Sequence, residues 1–270
     1  ELKPKQREAL EVHREQALQS QALVTIRHDV PIDFDLESLR YRGVSRARCF
    51  ELFTRLAFRT LVNEYAPTAD SVQTDYALVT TERELELLVA DVRTTASFAI
   101  YLITDHPSAM RSTIVGIAIS TQDRQGRYIP IGHRGEGERD DLLASADMPA
   151  QLDAALVLRT LEPLLEDEAI AKRGHDLKTV ALVLARAGIS LRGLGFDSIL
   201  GSYLLDANRS NHILEEVALE HLGYPARTEE DVRGRAANAT PFPNLSPNAV
   251  YSFAAERADL AWQLSGKLSS

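Results

Sequence analysis

Six carboxylates invite a reading as metal ligands or acid–base groups: Asp105, Asp176, Asp197, Asp206, Glu256 and Asp259. Hard cations of the magnesium type need oxygen ligands of this kind at fixed points. The local context of most of them points elsewhere. Asp197 and Asp206 stand at the start and end of a helical run. Asp176 opens a helix, where a carboxylate meets free backbone N–H groups. Asp259 is two positions from Arg257 on a helix and so faces another way. Asp105 opens the loop DHPSAMRS, where a displaced ligand is the minor reading. His175, His212 and His221 have no ligand-like spacing to a third residue and read as surface or hydrogen-bonded side chains. Cys49 is the single cysteine, which excludes a disulfide framework and a thiolate zinc site. The glycines of GHRGEG, Gly132–Gly137, lack the Walker spacing, and no G-x-S-x-G nucleophile elbow occurs.

The elements that would carry these residues can be read from periodicity. Lys3–Leu23 predicts a polar helix, followed by a Pro-containing loop and a short helix from Leu36. Ser45 caps a further helix whose apolar positions are Phe50, Leu52, Phe53, Leu56 and Phe58. Asn63–Asp75 is polar and reads as a linker. Strands are expected at Tyr76–Val79, Ser97–Ile103, Thr113–Thr121, Tyr128–Gly132 and Ala169–Arg173, with a turn at Asp123–Gly126. Thr81 caps a helix bearing Leu85, Leu88, Val89 and Val92 on one face. Further helices are expected at Ala150–Leu165, Asp176–Ala187 (closed by Gly188), Asp197–Leu205 and Ile213–Leu222. A loop at Arg233–Asn248 precedes a last helix from Asn248 to Leu268. Strands first, then helices, indicate a mixed α/β sheet flanked by helices.

The chain of 270 residues has a formal net charge of -9, unlike a stand-alone nucleic-acid binder with its basic excess. Its one basic cluster, Arg40, Arg42, Arg46, Arg48, Arg55 and Arg59, reads first as a solvated face and second as a phosphate or acidic-partner contact. No apolar run approaches the roughly 20 residues that span a bilayer, so no membrane partner is expected. The N-terminus is charged and helical, without an initiator Met or a signal peptide. It reads as the interior of a longer cytoplasmic protein.

Three segments carry a resemblance to a known family: HREQALQSQALVTIRHDVP, LKTVALVLARAGISLRGLGFDSILGSYLLD and FAAERADLAWQL. They resemble bacterial DNA polymerase I, of family A. Residues 1–62 are similar to the C-terminal end of its 5′-nuclease domain, 63–75 to a linker and 76–270 to its 3′–5′ exonuclease domain. The resemblance implies a ribonuclease H-like fold with a small helical N-terminal segment. Exonucleases of this family use two metals bound by carboxylates. The family pattern FDTE places an Asp and a Glu on the first strand, where this chain has Tyr101 and Ile103. The Asp of GQNLKYD corresponds to Val180. In YAAED, the Tyr that orients water corresponds to Phe253 and the metal-binding Asp to Arg257.

The resemblance therefore implies a degenerate proofreading domain, with no metal or other cofactor of its own and no catalytic residue. Its expected role is structural, beside a polymerase domain of the same parent chain that works in DNA replication and repair. Magnesium and tight DNA contact would belong to that parent. Two other readings stay open: an active exonuclease with shifted ligands, and a stand-alone interaction module of the same fold. Arg257 is expected to point into or beside the former metal cleft and to pair with a nearby acid or backbone carbonyl, with Asp105 or Asp176 the leading candidates.

Overall fold

The computed structural model describes residues 3–31, 35–37, 39–41, 43–56, 58–66, 73–134, 150–235 and 238–269. Packing divides the chain into two compact units, Glu1–Val44 and Ser45–Ser270. The first unit holds helices α1 (Pro4–Val12) and α2 (Arg14–Val24). The single helix expected at Lys3–Leu23 is thus interrupted at His13, whose backbone leaves the helical region at φ -107° and ψ 29°. Neither helix buries a side chain, and without a packed face little holds a helical run straight. The helix expected from Leu36 is a turn in its described residues, with Arg40 N–H donating to the Glu37 carbonyl.

The second unit opens with α3 (Arg46–Arg55), capped by Ser45, and α4 (Arg59–Tyr65). Phe53 packs on Phe58 and Tyr65 with ring centroids 6.3 and 5.3 Å apart. The expected linker begins inside α4, and its residues 67–72 lie outside the described residues, as does Arg42 of the basic cluster. Arg46 donates to the Glu64 carbonyl and lies over the Tyr65 ring, so that arginine is engaged locally.

A six-stranded mixed sheet forms the centre, in the order β1-β4-β3-β2-β5-β6. Its strands are β1 (Asp75–Leu78), β2 (Ser97–Thr104), β3 (Ile114–Ser120), β4 (Gln125–Pro130), β5 (Ala171–Gly174) and β6 (Leu194–Asp197). β2, β3 and β4 are antiparallel neighbours, while β1 runs parallel to β4, β5 to β2, and β6 to β5. β6 was not expected, because its four residues include a glycine and follow another. β4 starts three residues before the expected strand. The turn is taken at Arg124, at φ 60°, and Gly126 already lies in the strand.

Gly126 serves packing, not the turn. A Cβ there would meet the Cβ and carbonyl of Ala255 at 2.7 Å. Ala255 belongs to the long last helix, α11 (Pro247–Leu268), whose Ala254, Ala255, Ala258 and Ala261 are all buried. Small residues let this helix lie directly on the sheet. On the opposite face, α5 (Glu82–Thr95), α6 (Ala154–Leu165) and α7 (Leu177–Arg186) bury Leu85, Leu88, Val92, Val157, Leu161 and Val183 against β2 and β3. Thr81 and Glu84 form a reciprocal capping box on α5. The described residues of this unit also form α8 (Ser198–Leu205), α9 (Leu214–Leu222) and α10 (Glu229–Arg233).

Asp259 ties α11 to the sheet edge. It is 1% exposed and accepts from the Tyr76 hydroxyl (2.7 Å), the Arg124 N–H (2.7 Å) and the Gln263 amide (2.9 Å). Burial pushes its carboxyl up to about 6, against the hydrogen bonds that hold it down. A carboxyl raised on folding binds its proton more tightly in the folded state. Its contribution is therefore full below the unfolded value near 4 and is lost as pH rises through about 6. Denaturant midpoints for wild type and Asp259→Asn, taken from pH 4 to 7, should converge or cross as this contribution of about 2–3 kcal/mol disappears from the wild type alone. Parallel profiles would show that Asp259 does not titrate in this window.

Candidate functional site

Tyr101 and Ile103 are two apart on β2, so both side chains leave the same face of the sheet. That face meets α11, where Phe253 and Arg257 are four apart and share a stripe. Val180 reaches the same region from α7. Tyr101, Val180 and Arg257 line a cleft of about 980 Å³, together with His175, Asp176 and Glu215. Ile103 and Phe253 lie beneath its floor, 1% and 0% exposed, packed with Tyr128 and Phe242. The five positions singled out in the sequence therefore converge on one place.

Arg257 is the centre of this arrangement. Its guanidinium carbon stands 4.4 Å from the Phe253 ring centroid and 5.5 Å from that of Tyr101, which places the cation on two aromatic faces. The two rings meet edge-on, at 6.5 Å and 85°. Arg257 Nη2 donates to Glu215 of α9 and, at 3.5 Å, to the Arg227 carbonyl. Among the described residues its Nε has no hydrogen-bond partner. Burial pushes the Tyr101 phenol up, although the nearby guanidinium opposes this, so the wall of the cleft presents a neutral phenol and a cation.

Arg257 pairs with a nearby acid and a backbone carbonyl, but the acid is Glu215 and neither of the leading candidates, Asp105 and Asp176. Both aspartates are used locally. Asp105 closes its loop by accepting from the Thr113 N–H and hydroxyl, each at 2.6 Å. Asp176, at φ 65°, caps α7 through the Thr179 N–H (3.2 Å) and hydroxyl (2.6 Å). Asp197 accepts from the N–H groups of Asp176, Leu177 and Ile199 at 2.7–3.1 Å, so one carboxylate serves the starts of both α7 and α8. Asp206 accepts from the Asn208 N–H. Glu256 leaves α11 on another side, where it is 0% exposed and accepts from the Tyr224 hydroxyl and from Arg227.

The histidines are also engaged. His175 Nδ1 lies 2.8 Å from Ser198 Oγ, and burial pushes the ring down to about 4, which keeps it neutral near pH 7. His212 Nδ1 lies 2.9 Å from Ser202 Oγ. Of the GHRGEG loop, residues 135–137 fall outside the described residues.

Two hard divalent cations would require several convergent carboxylate oxygens. The converging groups here are a phenol, a valine, an isoleucine, a phenylalanine and a guanidinium, and the nearest acid is paired to that guanidinium. Among the described residues, no three His, Cys, Asp or Glu side chains come together as a ligand set. The donors present do not fit such a metal pair. Glu215 and Arg227, which hold Arg257, had no signal in the sequence. One sits in an ordinary acidic first turn and the other in a loop.

Residues 144–264 match the family model described as the ribonuclease H-like domain of DNA polymerase I. The chain is similar to DNA polymerase I of Pseudomonas aeruginosa, at 29% identity over 94% of this chain and 28% of that protein. It is also similar to DNA polymerase I of Geobacillus stearothermophilus, at 27% identity over 87% of this chain and 24% of that one. The chain thus spans about a quarter of the length of these curated relatives. Among solved structures, Trypanosoma brucei RNase D matches with a TM-score of 0.56 at 14% identity, covering 73% of this chain and 65% of the other. That likeness speaks to the fold, and with the mixed sheet flanked by helices it makes this a ribonuclease H-like α/β domain.

The packed floor of the cleft makes a direct prediction. Ile103→Glu buries an unpaired acid and should lower stability by roughly 2–4 kcal/mol in denaturant unfolding. An unchanged midpoint would mean that the face under Tyr101 is open to water.

Proposed function

We propose that this chain, which corresponds to the 3′–5′ exonuclease region of a bacterial DNA polymerase I, is a non-hydrolytic domain with a structural role in its parent protein. Tyr101, Ile103, Val180, Phe253 and Arg257 are read as the positions where the catalytic set was lost. Residues 1–62 are read as the tail of the 5′-nuclease region, and the parent as a cytoplasmic, magnesium-dependent DNA-directed DNA polymerase of replication and repair. No helix of the described residues is long and apolar enough to cross a membrane.

The observation that carries this reading is the placement of Arg257. Its guanidinium lies between the Tyr101 and Phe253 rings and is held by Glu215. A unit charge about 4 Å from a divalent cation opposes it by about 8 kcal/mol at an effective dielectric near 20, before Glu215 returns part of that. The rings and Val180 also replace the oxygens that would bind the ion. A two-metal reaction needs both cations to activate water and to stabilise the leaving oxygen, and no residue of this cleft supplies either service in their place.

Incubated with magnesium or manganese, 5′-labelled single-stranded DNA should stay full length. Progressive shortening from the 3′ end that co-purifies with the chain would overturn the reading in favour of an exonuclease with shifted ligands.

Contact with DNA should be weak. The net charge is -9, and Glu215, Glu229 and Glu230 line the cleft, so phosphates approach a surface of their own sign. Dissociation constants at physiological salt should be no tighter than the roughly 10⁻⁴–10⁻⁶ M of non-specific binding. Fluorescence anisotropy that gave submicromolar values would contradict this.

A further inference from the structure

Helix α8 is built inside out. The residues it buries are Ser198 and Ser202, which bond to His175 and His212, while Leu200, Tyr203, Leu204 and Leu205 are 62%, 54%, 83% and 61% exposed. A surface helix of a globular domain normally does the reverse. Leu200 also forms one wall of an apolar groove of about 690 Å³ between α7 and α8, which continues over Ala181, Leu182, Leu194 and Phe196. Leu194 belongs to β6, the edge strand of the sheet, and is 60% exposed. Open edge strands flanked by apolar surface are sticky and are normally covered.

We infer that the groove over β6 and the outward face of α8 form the docking surface for the polymerase module of the parent chain, which would meet it with an apolar face of its own. This rests on the reading that such a module belongs to the parent. Two observations select that occupant. The curated relatives are about four times as long as this chain, so most of the parent's surface lies outside it. The end of α11 is also at this face. A Cβ on Gly201 of α8 would stand 3.5 Å from the Leu268 side chain, so chain continuing from α11 sets out beside the exposed leucines.

Hydrogen exchange on this chain and on the full parent tests the inference. The β6 and α8 amides should exchange at least tenfold more slowly in the parent. Leu200→Glu with Leu204→Glu should abolish that difference, while leaving the melting temperature of the 270-residue chain within about a degree of wild type, because both side chains are already in water. Equal exchange in the two chains would overturn the inference. So would slow exchange in this chain alone that rises with its concentration alongside a dimer in sedimentation, since a second copy would then cover the face. A parent gene with no polymerase module would sink the functional reading together with this one. A gene that has the module, combined with equal exchange, would sink this inference alone.

Discussion

A buried helix cannot carry an unpaired charge, and α11 carries three: Glu256, Arg257 and Asp259, each under 7% exposed. They leave the helix in different directions, and each fixes a different part of the domain. Glu256 holds Tyr224 and Arg227 in the segment after α9. Arg257 holds Glu215 at the start of α9. Asp259 holds Tyr76 of β1 and the Arg124 turn before β4. Leaving any of these unpaired would cost several kcal/mol, a large share of a domain's whole stability. The contact of Ala255 with Gly126 sets the depth at which the helix lies, and that depth brings all three charges within reach of their partners.

The same constraint shapes the cleft. Arg257 is satisfied by one carboxylate, one carbonyl and two ring faces, so the cation is kept at the wall. The two rings do double service, covering the guanidinium and closing the floor over Ile103. Two of the surrounding acids, Asp176 and Asp197, are engaged by the exposed N–H groups at the starts of α7 and α8. The bonds that hold α7, α8 and α9 in place are, in this cleft, the same ones that engage its Arg257, Asp176 and Asp197 side chains.

Much of the architecture was legible in order and type. The apolar runs Ser97–Ile103 and Thr113–Thr121, the Thr81 cap and the Asp176 cap each correspond to an observed element, because local composition and local hydrogen bonds agree there. The failures have a common cause. His13 interrupts a helix that has no packed face, β6 exists only because β5 offers it a neighbour, and Gly126 looked like a turn residue because the helix that needs its missing side chain is 129 positions away in sequence at Ala255.

The sequence by itself determined which residue types stand at the five converging positions: a phenol, three apolar side chains and a guanidinium. It determined the net charge that opposes phosphate, and the helix and strand types that bring those positions near one another. Only the tertiary structure decided that Glu215 holds Arg257, that α8 turns its leucines outward, and that Asp105 and Asp176 are spent on their own loops. Pairing between distant charges depends on which groups a fold leaves within about 4 Å of each other, and burial depends on which faces find a neighbour. Neither is a property of a local stretch of sequence.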